Sequence, residues 1–400
     1  MTSVQARRLP DTGDTPDTED TTVADIRAGV RQLCDRFGDE YWRGVDALDA
    51  YPEEFVAALT EAGWLSVLVP EEYGGGGLGL VEASAVLGEI NASGASSAAC
   101  HAQMYVMAAL LRHGSAQQKQ RWLPEIAAGR VRLQSFGVTE PDAGSDSTAI
   151  RTRAERTEAG WLVNGQKIWT SRFQHSDLML LLARTTPKDQ VMRRTDGLSL
   201  FLVDLREAGD AIEARPIRTM MNHATNEVFF RDLELPADAL VGTEDAGLRH
   251  VFDGMNAERI LIAAECVGDG RWFCERAARY ATDRVVFGRP IGANQGVQFP
   301  IAHAYAAVTA ADLVQRRAAR LFDAGLPAAE AANMAKLLAS EASWEAANAC
   351  MDAHGGYGFA AEFDVERKFR ETRLYKTAPV NNNLVLAYLG QHVLGMPRSY

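Results

Sequence analysis

The apolar spacing of this chain switches twice, from a helical period to one near two and back again, and few folds accommodate that order. From Val23 to about Gly129 the spacing is helical. In PEEFVAALTEAG, Phe55, Leu59 and Ala62 share a face, Pro52 opens the segment and Gly63 closes it. MAALLRHG and AQQKQRWLPEIAAG continue the pattern, each ending in glycine. From about Val131 to Val241 the chain breaks into short runs such as RLQSFGV, WLVNGQKIW, LMLLLART and NEVFFRDLEL, and Asn164-Gly165 reads as a hairpin turn. From Ala246 the helical period returns in long segments, at roughly 247–282, 297–324, 328–354 and 382–394. Long helices with short connections predict an antiparallel bundle. The 400 residues suffice for two or three domains. The expected division is a disordered tail over residues 1–22, an N-terminal helical domain over 23–130, a small β-barrel or sandwich over 131–243 and a C-terminal antiparallel four-helix bundle over 244–400. The fold class is mainly α with a central β domain.

Several function classes are disfavoured. Net charge is −12, from 41 basic and 53 acidic residues, so no nucleic-acid face is expected. Cys34, Cys100, Cys266, Cys274 and Cys350 form no C-x-x-C pair and resemble no metal site. They read as small buried hydrophobes in a reducing cytoplasm. No run of about 18 apolar residues predicts a membrane span. The Asp-, Thr- and Pro-rich start lacks the apolar stretch of a secretion signal.

Two glycine-containing segments invite a phosphate-binding reading. EEYGGGGLGL has no preceding strand and no GK[ST], and reads as a flexible connection. Val138-Thr139-Glu140-Pro141-Asp142-Ala143-Gly144-Ser145-Asp146 lies between two strands. Taken alone it is a polar turn whose backbone N–H groups can bind a phosphate or carbonyl oxygen.

That segment resembles the V-T-E-P-x-A-G-S-D signature of the acyl-CoA dehydrogenases, and NGQKIWTS resembles the family's next strand motif. ERILIAAECVG, ATDRVVFGRPIGANQGVQFPIA and HGGYGFAAEFDVERKFRETRLY resemble its bundle motifs, in order and at similar spacing. The resemblance implies a homotetramer that binds FAD and acyl-CoA and passes electrons to an electron-transfer flavoprotein. It implies that Phe136, Val138 and Thr139 line the flavin ring, that Gly144 and Ser145 hold the pyrophosphate, that Trp169 packs on the flavin, and that the Ser171 hydroxyl approaches N5. The family more often has Thr at that last position. The adenine end is implied to be bound by a neighbouring subunit through Arg284, Phe287, Gln295, Asp352, Gly355, Gly356 and Asn381. Asp352 departs from the family's usual Gln, and a carboxylate near phosphate needs a compensating cation such as Arg284.

The resemblance also bears on the base. Abstracting a weakly acidic α-proton requires a carboxylate at Cα and a polarised thioester carbonyl. Most family members carry that Glu in a Y-E-G-T segment, where this chain has Ala378 and Pro379. An isovaleryl- and long-chain-type minority carries it on a bundle helix before an Arg, where this chain has Asn256-Ala257-Glu258-Arg259. Glu258 is therefore the expected base. Met255, Asn256 and Arg259 are expected to bind the CoA, and Ser145, Ala378 and Pro379 to border the substrate. Pro379 has no N–H, so either Val380 donates to the carbonyl or another donor does. His223 and Thr225, ahead of a strand, read as turn formers, with a place near the CoA cleft as the alternative. The leading expectation is an acyl-CoA dehydrogenase for short-to-medium, branched chains. The alternatives are an oxidase, a reductase or an acyl-carrier-protein-dependent enzyme on the same scaffold, and a non-catalytic FAD-binding subunit.

Overall fold

The computed structural model describes residues 21–398, so most of the expected tail lies outside the described residues; Thr21 and Thr22 open the first helix. The helices are α1 (Thr21–Cys34), α2 (Asp39–Ala47), α3 (Glu53–Glu61), α4 (Leu80–Ala92), α5 (His101–His113), α6 (Ala116–Ala127), α7 (Gly247–Asp283), α8 (Gln295–Asp323), α9 (Ala329–His354), α10 (Val365–Arg373) and α11 (Asn382–Tyr388). The strands are β1 (Leu133–Gly137), β2 (Arg153–Arg156), β3 (Gly160–Ser171), β4 (Leu178–Arg184), β5 (Leu198–Asp204), β6 (Ile212–Pro216), β7 (Thr225–Pro236) and β8 (Leu240–Val241), with a hairpin of β9 (Val285–Val286) and β10 (Arg289–Pro290). Contacts divide the chain into two units. A sheet unit comprises Asp49–Leu78 and Ala98–Glu258; a helical unit comprises the chain up to Leu48, Gly79–Ser97 and the chain from Arg259 onward.

In the sheet unit, eight strands run in the order β6-β7-β3-β2-β4-β5-β8, with β1 parallel to β4. The path stays open at β6 and β8, so the expected barrel does not close among the described strands. Within the path the thinnest join is at β2, four residues long, which meets β4 through the single pair Arg153–Arg184. Strands β4 and β5 are apolar on both faces because both are covered. Leu178, Leu180, Leu182, Leu198, Leu200 and Leu202 join a core with α5, α6 and the first turns of α7. Met179, Leu181, Phe201 and Val203 face a second core with Trp161, Val228 and Phe230.

Two turn expectations are corrected. Asn164-Gly165 is not a hairpin turn but a bulge inside β3, where the register with β7 shifts between Val163 and Gly165. Asn164 exchanges bonds with Asp232, accepting from its N–H at 2.9 Å and donating to its carboxylate at 3.0 Å. A Cβ on Gly165 would stand 2.5 Å from the Thr152 hydroxyl, so glycine is required by close approach. The Gly-rich connection is not flexible either. Gly76, Gly77 and Leu78 donate to Ser66, Val69 and Val67, and a Cβ on Gly75 would lie 2.2 Å from the Val69 carbonyl oxygen.

In the helical unit, α8 and α9 meet through small side chains: Ala304, Ala311 and Ala318 on one, Ala335, Ala339 and Ala346 on the other are buried. Beneath α10, Lys368 approaches Asp269 to 2.5 Å with both side chains buried. Tyr375 donates to buried Glu265 at 2.8 Å, and Lys336 donates to Asn382 at 2.6 Å. Among the described residues no helix is long and apolar enough to cross a membrane.

Candidate active site

The 138–146 turn is set by a buried ion pair. Lys167, wholly buried on β3, donates to Glu140 at 2.8 Å and to the Val138 carbonyl at 3.0 Å. Glu140 also accepts from the backbone N–H groups of Arg151 (2.6 Å) and Thr152 (2.9 Å). Burial pushes the Glu140 carboxyl up, but Lys167 and these donors outweigh it and hold it below its ordinary value. Burial lowers the Lys167 ammonium to about 8 against the pull of Glu140. The framed turn leaves Gly144 and Ser145 exposed, with Phe136, Val138 and Thr139 half-buried behind it. The Thr139 carbonyl accepts from the Ile168 N–H at 2.9 Å, which ties this turn to the end of β3 beside Trp169.

Trp169 carries a φ of 61°, rare for a bulky side chain, where the β3–β7 register shifts again. Its indole is 56% exposed. Ser171, half-buried, ends β3 opposite Thr225. Arg172 follows with a φ of 55° and is 2% exposed. Its N–H donates to the Ala224 carbonyl at 2.8 Å, and its Nη2 donates to His223 Nδ1 at 3.1 Å. His223 thus faces inward rather than serving as a mere turn former. Sequence reading missed Arg172 and His101, whose ring lies 6.5 Å from that of His223. Arg172 lies 51 residues and His101 122 residues from His223 along the chain, and only the β3–β7 pairing and the burial of α5 bring them together.

On α7, Glu258 is 9% exposed while Met255, Asn256 and Arg259 are half-buried. The boundary between the two units falls between Glu258 and Arg259. In the helical unit, Arg284 leaves the end of α7 and its guanidinium stands 5.7 Å from the ring centre of Tyr357. That places it beside the exposed Gly355-Gly356 pair that caps α9. Asp352 is exposed one turn earlier, and Gln295 opens α8. Phe287, at the turn of the β9–β10 hairpin, is fully exposed. Ala378, Pro379 and Val380 are half-buried between Tyr375 and Asn381, whose side chain caps α11 by accepting from the Leu384 N–H at 3.0 Å.

Comparison with known proteins bears on the whole chain. The models of the acyl-CoA dehydrogenase N-terminal, middle and C-terminal domains match residues 20–130, 135–233 and 245–386. Acyl-CoA dehydrogenase FadE12 of Mycobacterium tuberculosis is 37% identical over 378 residues, 94% of this chain and 96% of that protein. The mitochondrial short/branched chain specific acyl-CoA dehydrogenase of Rattus norvegicus is 30% identical, covering 84% of this chain and 78% of that protein. A glutaryl-coenzyme A dehydrogenase solved with glutaryl-CoA has a TM-score of 0.89 at 29% identity, over 95% of this chain and 97% of that one. With all three domain models matched in order, the chain belongs to the acyl-CoA dehydrogenase family.

Proposed function

We propose that this chain is an FAD-dependent acyl-CoA dehydrogenase that oxidises the Cα–Cβ bond of a short-to-medium, branched acyl-CoA. FAD, when bound, supplies a hydride acceptor. Glu258 takes the Cα proton as the Cβ–H bond gives up its hydride and the Cα=Cβ bond forms. The observation that carries this reading is the burial of Glu258, 9% exposed on α7, while Leu374–Asn381 contains no carboxylate. A carboxylate buried on a helix is a candidate for a proton-transfer role.

The residues present fit a flavin. An exposed indole held at φ 61° beside a hydroxyl is a strained arrangement, and such strain clusters where a ligand is held. In this reading Phe136, Val138, Thr139 and Trp169 flank the ring, Ser171 faces N5, and Gly144 and Ser145 bind the pyrophosphate. Met255, Asn256 and Arg259 bind the CoA, and Ala378 and Pro379 border the reacting carbons. The Val380 N–H has no partner among the described residues, so it is the donor we assign to the thioester carbonyl in place of Pro379. Arg284, Phe287, Gln295, Asp352, Gly355, Gly356 and Asn381 serve the adenine end bound by a neighbouring subunit of a homotetramer. Full exposure of Phe287, with Val285 and Phe299 more than half exposed, supports that role. The electron acceptor is an electron-transfer flavoprotein. Five cysteines with no disulfide among them support a cytoplasmic setting.

The deciding experiment is Glu258→Gln, which keeps the shape and removes the base. It should retain FAD and acyl-CoA yet lose anaerobic flavin reduction by about 10²–10⁴-fold. Reduction at the unmodified rate would show that Glu258 is not the base.

A further inference from the structure

We propose that a cavity in the helical unit, bordered by α1, α4, α7 and α8, binds a medium-length aliphatic carboxylate at a site separate from the one described above. The cavity has a volume of about 480 Å³, which is the size of a small-molecule site. Its lining comes from the helical unit alone and includes none of the residues assigned to the flavin or to the acyl-CoA.

Guanidinium groups reach this cavity from three helices: Arg27 from α1, Arg271 from α7, and Arg316 and Arg320 from α8. Four acidic residues line it too, Glu82, Glu89, Asp312 and Asp323, but two of them serve the start of α4. Asp323 accepts from the Leu80 and Val81 N–H groups at 2.8 and 2.9 Å, and Glu82 accepts from the Gly79 N–H at 2.9 Å. Glu89 pairs with Arg31, which lies outside the lining. Asp312, 3% exposed, is shared: the Nη2 atoms of Arg271 and Arg316 both stand 2.9 Å from its Oδ2. Arg320 is exposed and makes no ion pair among the described residues. The four lining arginines and Arg31 thus set five positive charges against four negative ones, a balance that favours an anion over a cation.

Asp312 fixes two guanidinium groups side by side. A guanidinium carries five N–H donors in a planar fork, so sharing one carboxylate oxygen still lets each bind a second oxyanion. Arg27, 9% exposed, brings a third guanidinium from α1. The apolar part of the lining selects what the anion is attached to. Val23, Val81, Ala85, Ala264, Val267 and Ala319 form aliphatic walls, and no aromatic ring lies among the lining residues. Such walls bury an alkyl chain and give a nucleotide base nothing to stack on. The polar pair between them is turned inward, the Gln315 amide donating to the Ser84 hydroxyl at 2.8 Å. A guanidinium cluster matches a carboxylate in shape and charge, and with aliphatic walls beside it the ligand is a carboxylate with an alkyl body.

Octanoate and octanamide share one chain and differ in the charge at its end. Calorimetric titration of the full-length holoenzyme should show octanoate bound about tenfold more tightly than octanamide. Arg27→Met should weaken octanoate by about tenfold and leave octanamide unchanged, and Arg27→Lys should recover part of the loss. Ala85→Leu fills the aliphatic wall without touching an arginine and should weaken octanoate as well, which keeps the test open if Arg27→Met does not fold. Octanoate affinity should be unaltered when 2-octenoyl-CoA saturates the protein, because the two sites share no residue. No octanoate binding, equal affinity for acid and amide, indifference to both substitutions, or displacement of octanoate by 2-octenoyl-CoA would each overturn the proposal.

Discussion

Glu140 accepts from three donors at once, and this is what gives the 138–146 turn one conformation. Removing Lys167 leaves a buried carboxylate with backbone donors only, and breaking a buried pair from one side costs about 3–5 kcal/mol. Lys167→Met should therefore lower the melting temperature and loosen FAD together, with Glu140→Gln in the same chain recovering part of both. Unchanged melting and FAD affinity in Lys167→Met would show that the pair does not frame the turn. Thr139, Glu140, Trp169 and Glu258 were legible as residues because each sits inside a short ordered motif. Arg172 was not, because its burial and its bond to His223 depend on the pairing of β3 with β7, which the linear sequence does not display.

At the level of elements, the segment from Tyr375 to Asn382 is braced from two helices. Glu265 on α7 takes the Tyr375 hydroxyl, and Lys336 and Ser340 on α9 both donate to the Asn382 side-chain oxygen. This segment carries Ala378, Pro379 and Val380, so its brace sets where the proposed carbonyl donor stands. Tyr375→Phe removes one donor from a buried carboxylate and should cost about 1–3 kcal/mol. Hydrogen exchange should rise over residues 376–383 and stay unchanged along α8; protection equal to that of the unmodified protein would leave the brace without a role. The periodicity identified helices and strands well because burial enforces it on both faces of β4 and along α8 and α9. It failed at Asn164-Gly165 and in the GGGG connection. In both, glycine is needed because another backbone or side chain comes close, and local turn chemistry looks the same as close approach when only the chain is read.

For the molecule as a whole, buried ionisable groups in the helical unit tie stability to pH. Burial, opposed by Lys368, raises Asp269 from an ordinary value near 4 to about 6. The folded protein then holds this proton where the unfolded chain has released it. The contribution is fully present below about pH 4 and is lost as pH rises through about 6, by up to ~3 kcal/mol. Melting temperature measured from pH 4 to 7 should show that falling component, and Asp269→Asn should flatten it; equal slopes in both proteins would count against Asp269 as its source. The cysteines have a different consequence. All five are buried thiols outside any disulfide, and burial raises Cys34 and Cys274 to about 12. The folded surface therefore offers no native thiolate to an alkylating reagent near neutral pH. A single cysteine introduced at an exposed position such as Met192 becomes a unique handle, so spectroscopic labels or cross-linkers can be attached without first stripping the protein of its own sulfur.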